Sequence, residues 1–145
     1  MSRVSTYLNF QGNTEEAFTF YSKVFDTEFL SPIQRFGDMG SAPGQPELPE
    51  HEKAMVLHVE LPILAGHVIM ATDMLESMGH ELRIGNNTTI NLEFDTPAEA
   101  TRLFELLSVG ATDATGLTEM FWGAHWGTCL DRFGVRWMFN APAAS

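Results

Sequence analysis

The sequence predicts an α+β fold made of two tandem βαβββ modules that form a cupped mixed sheet. Two observations carry this. A strand followed by a capped helix opens the chain, and the same pattern returns when residues 8–20 are moved forward onto 92–104: Leu8 falls on Leu92, Phe10 on Phe94, Glu15 on Glu99 and Phe20 on Phe104. Later, Gly66-His67-Val68-Ile69-Met70 matches Gly134-Val135-Arg136-Trp137-Met138 in its glycine and methionine.

The elements follow in order. Val4 to Phe10 alternates as a half-buried strand does, with Leu8 and Phe10 on one face and Tyr7 and Asn9 on the other. Asn13 or Thr14 caps a helix, Glu15 and Glu16 suit its positive end, and Ala17, Phe20, Tyr21, Val24 and Phe25 form its apolar stripe. Glu28 to Phe36 reads as a second strand. Residues 37–52 hold three glycines and three prolines among acidic residues, which break regular structure and predict a flap. Met55 to Leu61 and Gly66 to Thr72 read as a strand pair, and Asp73 to Asn87 as a polar connector. In the second module, Thr88 to Phe94 is the first strand and Pro97 sits where a first-turn proline is tolerated. Asp113 to Gly123, Ala124 to Asp131 and Val135 to Asn140 complete it. The modules span approximately 1–75 and 88–145 of one domain covering 1–145, with the flap at 37–52.

Composition narrows the function. Nineteen acidic residues against eight Lys plus Arg give a formal charge of -11, the wrong sign for nucleic acid or an anionic membrane. No apolar run is long enough to span a bilayer and the first residues carry no apolar signal core. Cys129 is the one cysteine, so no intramolecular disulfide forms, and a cytoplasmic location is expected. No phosphate-binding glycine loop, dinucleotide fingerprint or paired-cysteine metal motif is present.

Tyr7-Leu8-Asn9-Phe10-Gln11-Gly12-Asn13-Thr14-Glu15-Glu16-Ala17, Gly66-His67-Val68-Ile69-Met70-Ala71-Thr72-Asp73 and Trp122-Gly123-Ala124-His125-Trp126-Gly127, followed by Asp131-Arg132-Phe133-Gly134-Val135-Arg136-Trp137, occur in this order. Together they resemble the PhnB-like branch of the glyoxalase/bleomycin resistance/dioxygenase (vicinal oxygen chelate) superfamily, over nearly the whole chain. The resemblance implies a homodimer and a cup between modules that holds a small molecule. In metal-using members, the first and last strands of each module ligate a divalent cation. By that resemblance a glutamate should follow Trp137; Met138 stands there, and Met70 stands at the matching place in the first module. Thioethers suit an apolar cup better than a hard cation.

The expectation is therefore a small-molecule-binding protein without a metal centre. The alternatives are a metal-dependent lyase, isomerase or dioxygenase-type enzyme, with a divalent metal as cofactor, or a drug-sequestering resistance protein. Asn9, Met70, Asn91, Trp122, Arg136 and Met138 are the candidate ligand-binding residues, and Glu93 and His125 the candidate proton acceptors. Each has a plainer reading. Glu93 is a general base if the flap closes over it and a surface acid if not. His125 is a pocket base or a packed aromatic neighbour of Trp122 and Trp126. Arg136 holds a ligand carboxylate or offsets an acidic surface. Cys129 reads as a structural thiol. The register of each module's first strand is open by one residue at the turn around Gly12.

Overall fold

The computed structural model describes residues 1–40, 43–44 and 46–143. Two compact units divide the chain between Arg83 and Ile84.

In unit 1, β1 (Thr6–Phe10) leads through a turn into α1 (Thr14–Phe25), followed by β2 (Gln34–Arg35), β3 (Val56–Pro62) and β4 (Val68–Asp73). The sheet order is β1-β4-β3-β2, with β1 parallel to β4 and the other pairs antiparallel. Unit 2 repeats the plan with β5 (Ile90–Glu93), α3 (Pro97–Leu107), β6 (Thr112–Glu119), β7 (His125–Leu130) and β8 (Arg136–Ala141) in the order β5-β8-β7-β6. Again the first strand runs parallel to the last. A parallel pair needs a long connection, and here the helix and two further strands supply it. Between β2 and β3 lie a 3-10 turn (Phe36–Met39) and a short α-helix, α2 (Glu50–Lys53).

Helices form where the apolar period predicts. The stripe of α1 is Ala17, Phe18, Tyr21, Val24 and Phe25, all buried, so Phe18 takes the place expected for Phe20, which is half-buried. Phe18 meets Phe10 edge-on at 6.1 Å, which locks the helix over β1. In unit 2, Ala100, Leu103 and Leu107 are the buried face of α3, and Phe104 meets Phe139 edge-on at 5.2 Å.

The expected second strand, 28–36, is shortened to Gln34–Arg35. Pro32 has no N–H for a ladder, and the segment ties itself to β3 by single bonds instead: Leu30 N donates to Glu60 O and Thr27 Oγ1 to Pro62 O. The turns also differ. Residues 11–13 separate Phe10 from Thr14, whereas only 95–96 separate Phe94 from Pro97, so the turn at Gly12 is one residue longer than its counterpart. Gly12 takes φ +99° there, a conformation that side chains rarely adopt.

No helix among the described residues is long and apolar enough to cross a membrane.

Candidate functional site

Alternation along each strand gives each sheet a helix-side face and an open face. In unit 2 the helix-side face is buried: Leu92, Cys129, Trp137, Phe139 and Ala141. The open face is arranged in rows by register. Arg136 lies opposite Leu130; Met138 has Asn91 on one side and Thr128 on the other; Asn140 has Glu93 on one side and Trp126 on the other. Asn91 and Glu93 are exposed, while Trp126, Arg136, Met138 and Asn140 are half-buried. Asn140 Nδ2 donates to Asn91 Oδ1 at 2.5 Å.

Arg136 is distinctive electrostatically. Arg35, Lys53 and Arg136 are the half-buried cations of the chain. Arg35 grips both carboxylate oxygens of Glu15, at 3.1 and 2.9 Å, and Lys53 meets Glu47 at 2.6 Å and Glu50 at 2.8 Å. Arg136 makes no ion pair among the described residues, and its Nε is buried without a hydrogen-bond partner. A buried donor without an acceptor costs about 1–3 kcal/mol.

In unit 1 the matching open-face positions hold different chemistry. Tyr7 pairs with Met70 and Asn9 with Thr72, and Glu60 lies opposite Met70 on the other side. The rings of Tyr7 and His58 are 6.0 Å apart. His58 Nε2 lies 3.9 Å from Glu60 Oε1, which also accepts from Arg3 at 3.2 Å. Met70 and Met138 therefore occupy equivalent places, each beside the first strand of its unit.

The expected lining residues divide. Asn91, Glu93, Arg136 and Met138 share the open face of unit 2, and Asn9 and Met70 share that of unit 1. His125 and Trp122 lie on neither. His125 pairs with Ala141, so register puts it on the helix-side face, where its Nδ1 is buried without a partner. Trp122 sits in the β6–β7 turn, 56% exposed, edge-on to Phe121 at 4.7 Å. Trp126 supplies the indole of the open face instead. Asn140 falls on the open face with Arg136 and Met138, as strand alternation predicts. Glu60 and Trp126 are open-face residues outside the expected lining; Glu60, between buried Val59 and Leu61, had the legible signal. Cys129 is fully buried, and burial, with Asp131 nearby, pushes its thiol up to about 12, so it stays protonated and inert.

The donor set does not suit the divalent cation that the superfamily resemblance implies. The first and last strands present a phenol and a thioether in unit 1 and an amide and a thioether in unit 2, from Tyr7, Met70, Asn91 and Met138. Hard cations want several carboxylate or imidazole donors. Glu93 is one strand step away beside the amide of Asn140. Among the described residues no group of three His, Cys, Asp or Glu converges in a way that could hold a metal.

Hydrogen bonds tie the two ends of the flap segment; Ser41, Ala42 and Gln45 lie outside the described residues. Arg35 NH1 donates to Ala54 O at 2.9 Å, and Phe36 N to Met55 O at 3.1 Å. Glu52, buried, accepts from both the hydroxyl and the backbone N–H of Ser77. The Ser77 hydroxyl holds the Glu52 carboxyl below its ordinary range against the opposing effect of burial, and Arg35 does the same for Glu15. Between this segment and the connector after β4 lies an apolar groove of about 550 Å³, lined by Phe36, Met39, Leu48, Pro49, Leu75 and Met78 among others.

Comparison with known proteins agrees with this architecture. Residues 2–139 match the family model described as 3-demethylubiquinone-9 3-methyltransferase. The chain is 31% identical over 142 residues to protein YjdN of Escherichia coli, covering 94% of this chain and 93% of that one. The crystal structure of protein PA1353 from Pseudomonas aeruginosa is similar at a TM-score of 0.82 and 30% identity, over 99% of this chain and 100% of the other. The PhnB protein of Bacillus cereus is similar at 0.73 and 23%, over 99% and 100%. Structures of the glyoxalase/bleomycin resistance/dioxygenase group share the fold alone, at TM-scores of 0.65 and 0.59. With two matched βαβββ units and a family match over nearly all its length, the chain belongs to the PhnB-like 3-demethylubiquinone-9 3-methyltransferase family, on the fold of the glyoxalase/bleomycin resistance/dioxygenase superfamily.

Proposed function

We propose that the protein binds a small organic molecule on the open face of unit 2, without a metal ion. The observation that carries this is Arg136: a half-buried cation with no carboxylate of its own, in a chain whose other half-buried cations are paired. A charge-assisted bond to a ligand oxygen would satisfy a group that folding leaves unmet. Around it stand amides that orient polar groups (Asn91, Asn140), a carboxylate that accepts a proton or hydrogen bond (Glu93), and apolar surface from Met138 and Trp126. Asn9 and Met70 occupy the corresponding places on the open face of unit 1. His125, on the helix-side face, supports a packing role better than a proton-accepting one.

Two measurements test the reading. Fragment titrations followed by backbone NMR should shift Asn91, Glu93, Trp126, Arg136, Met138 and Asn140 together. Shifts confined to the groove between Phe36 and Met78 would move the site there. Elemental analysis after purification without affinity-tag histidines should find well under one zinc, nickel, manganese or iron per chain, because tight sites use at least three protein ligands. Stoichiometric metal lost on Glu93→Ala would overturn the metal-free reading, and Met138→Glu should raise affinity for nickel or zinc.

A further inference from the structure

We infer that the ligand of this face is an aromatic carboxylate with a hydrogen-bond donor at its opposite end. The inference rests on the open-face reading above and deepens it.

The rows of unit 2 form a track with a sign at each end. Arg136 stands at one end, and Glu93 with Asn140 two pleat steps further on, in register. Two steps of two residues are about 14 Å of strand, less the reach of the side chains at both ends. The two terminal nitrogens of a guanidinium present parallel donors that match the two oxygens of a carboxylate. Arg136 Nε is buried without an acceptor, and the terminal nitrogens make no ion pair among the described residues, so the terminal fork is the one left for a carboxylate. At the other end, Asn140 gives one Nδ2 hydrogen to Asn91 and keeps its carbonyl oxygen, beside the carboxylate of Glu93. The carbonyl and the carboxylate both accept, so a hydroxyl or amino group suits them, and the charge of Glu93 repels a second anion. An anionic ligand therefore has one orientation.

The middle row is Asn91, Met138 and Thr128, and the half-buried indole of Trp126 stands beside Asn140 at the acceptor end. A thioether and an indole favour an aromatic ring, through sulfur–ring contact and through stacking or edge-on packing. An aliphatic chain would cover the same surface without those contacts.

The test titrates the intact protein with 4-hydroxycinnamate, with its primary amide and with hexanoate, using calorimetry for affinity and backbone NMR for location. The carboxylate should bind about tenfold or more tightly than the amide, because the neutral amide brings one acceptor oxygen and no charge to the guanidinium. Arg136→Gln should erase that preference, and Arg136→Lys should keep part of it as a point charge, with thermal unfolding confirming that both variants fold. Trp126→Leu should weaken hydroxycinnamate by about tenfold and leave hexanoate unchanged. If the amide binds as well as the acid, or Arg136→Gln alters neither, the anion assignment is wrong although the face still binds. If hexanoate matches hydroxycinnamate, the aromatic assignment is wrong. If none of the three shifts open-face resonances at millimolar concentration, the proposed function itself falls, along with this inference.

Discussion

The two units share strand order, parallel first-to-last pairing and a methionine at the same open-face place, yet their open faces carry different chemistry. Where unit 1 has Tyr7 and Asn9, unit 2 has Asn91 and Glu93; where unit 1 has Glu60 held by Arg3, unit 2 has Thr128. Their helix starts also differ. In unit 2, Thr96 caps α3 locally by accepting from Glu99 N at 3.2 Å, with Pro97 in the first turn. In unit 1, Asn13 makes no side-chain cap, and Asp73 at the end of β4 does the work from 59 residues away. Its Oδ1 accepts from Gly12 N, Thr14 N and Thr14 Oγ1, while Oδ2 accepts from Val56 N. The lesson is that the helix-side face fixes the topology, while the open face and the termini of elements are free to take up separate tasks.

The sharpest way to break that division is to cut on both sides of one bond. Trp137 is fully buried, and its Nε1 donates to Asp131 Oδ2 at 2.8 Å. Trp137→Ala should cost about 3–5 kcal/mol in urea unfolding, from the cavity and the bond lost at Asp131 Oδ2 together. Its neighbour Met138 points to the open face, so Met138→Ala should cost about 1 kcal/mol or less. Comparable losses would mean that the open face is structural after all.

The caps allow a second contrast. Asp73→Ala leaves three backbone N–H groups and a hydroxyl without their acceptor, so about 3 kcal/mol or more should be lost. Thr96→Ala removes one local cap and should cost about 1 kcal/mol. Equal effects would mean that Asp73 is replaceable by water.

How much of this was legible follows from the range of each interaction. Helix stripes and strand alternation are local, so both βαβββ units, the Met70–Met138 equivalence and the open-face placement of Asn9, Asn91 and Glu93 could be read directly. Asp73 could not, because its partners lie 59 and 61 residues earlier in the chain and 17 residues before it, with no sequence signal linking them. His125 and Trp126 show a different limit. A strand shifted by one residue exchanges its faces, and an aromatic cluster at a strand end does not say which member turns inward. The flap is legible from its glycines and prolines. The bonds from Arg35, Phe36 and Glu52 that tie its ends are not, because their partners lie elsewhere in the chain.

That pinning has a pH signature. Glu52 is held below its ordinary range, so its contribution is full above the unfolded carboxylate value, near 4.3, and is lost as pH falls through the lower folded value. Thermal stability of the wild type should therefore decline as pH drops from about 5, and Glu52→Gln should flatten that part of the curve. An unchanged curve would show that Ser77 does not hold the charged form. The same substitution should loosen the segment, seen as faster amide exchange at Ser77, whose N–H donates to Glu52 Oε2 at 3.1 Å.

The smallest expected change is the most direct test of the comparison between units. Tyr7 and Asn91 hold equivalent places, each beside a methionine and each on an exposed position of its first strand. Exchanging them, as Tyr7→Asn with Asn91→Tyr, alters no buried contact of either helix-side core. Surface changes away from caps and cores usually stay within about 0.5 kcal/mol. Here a little more is at stake, because Asn91 loses its bond from Asn140 and Tyr7 its ring contact with His58. The double variant should fold with the same circular dichroism and unfold within about 1 kcal/mol of the wild type. Its binding should change more than its stability, since a phenol beside Met138 crowds the middle of the track that leads to Arg136. A variant that loses its fold would show that the open faces help to specify the topology, and the separation drawn between the two faces would no longer hold.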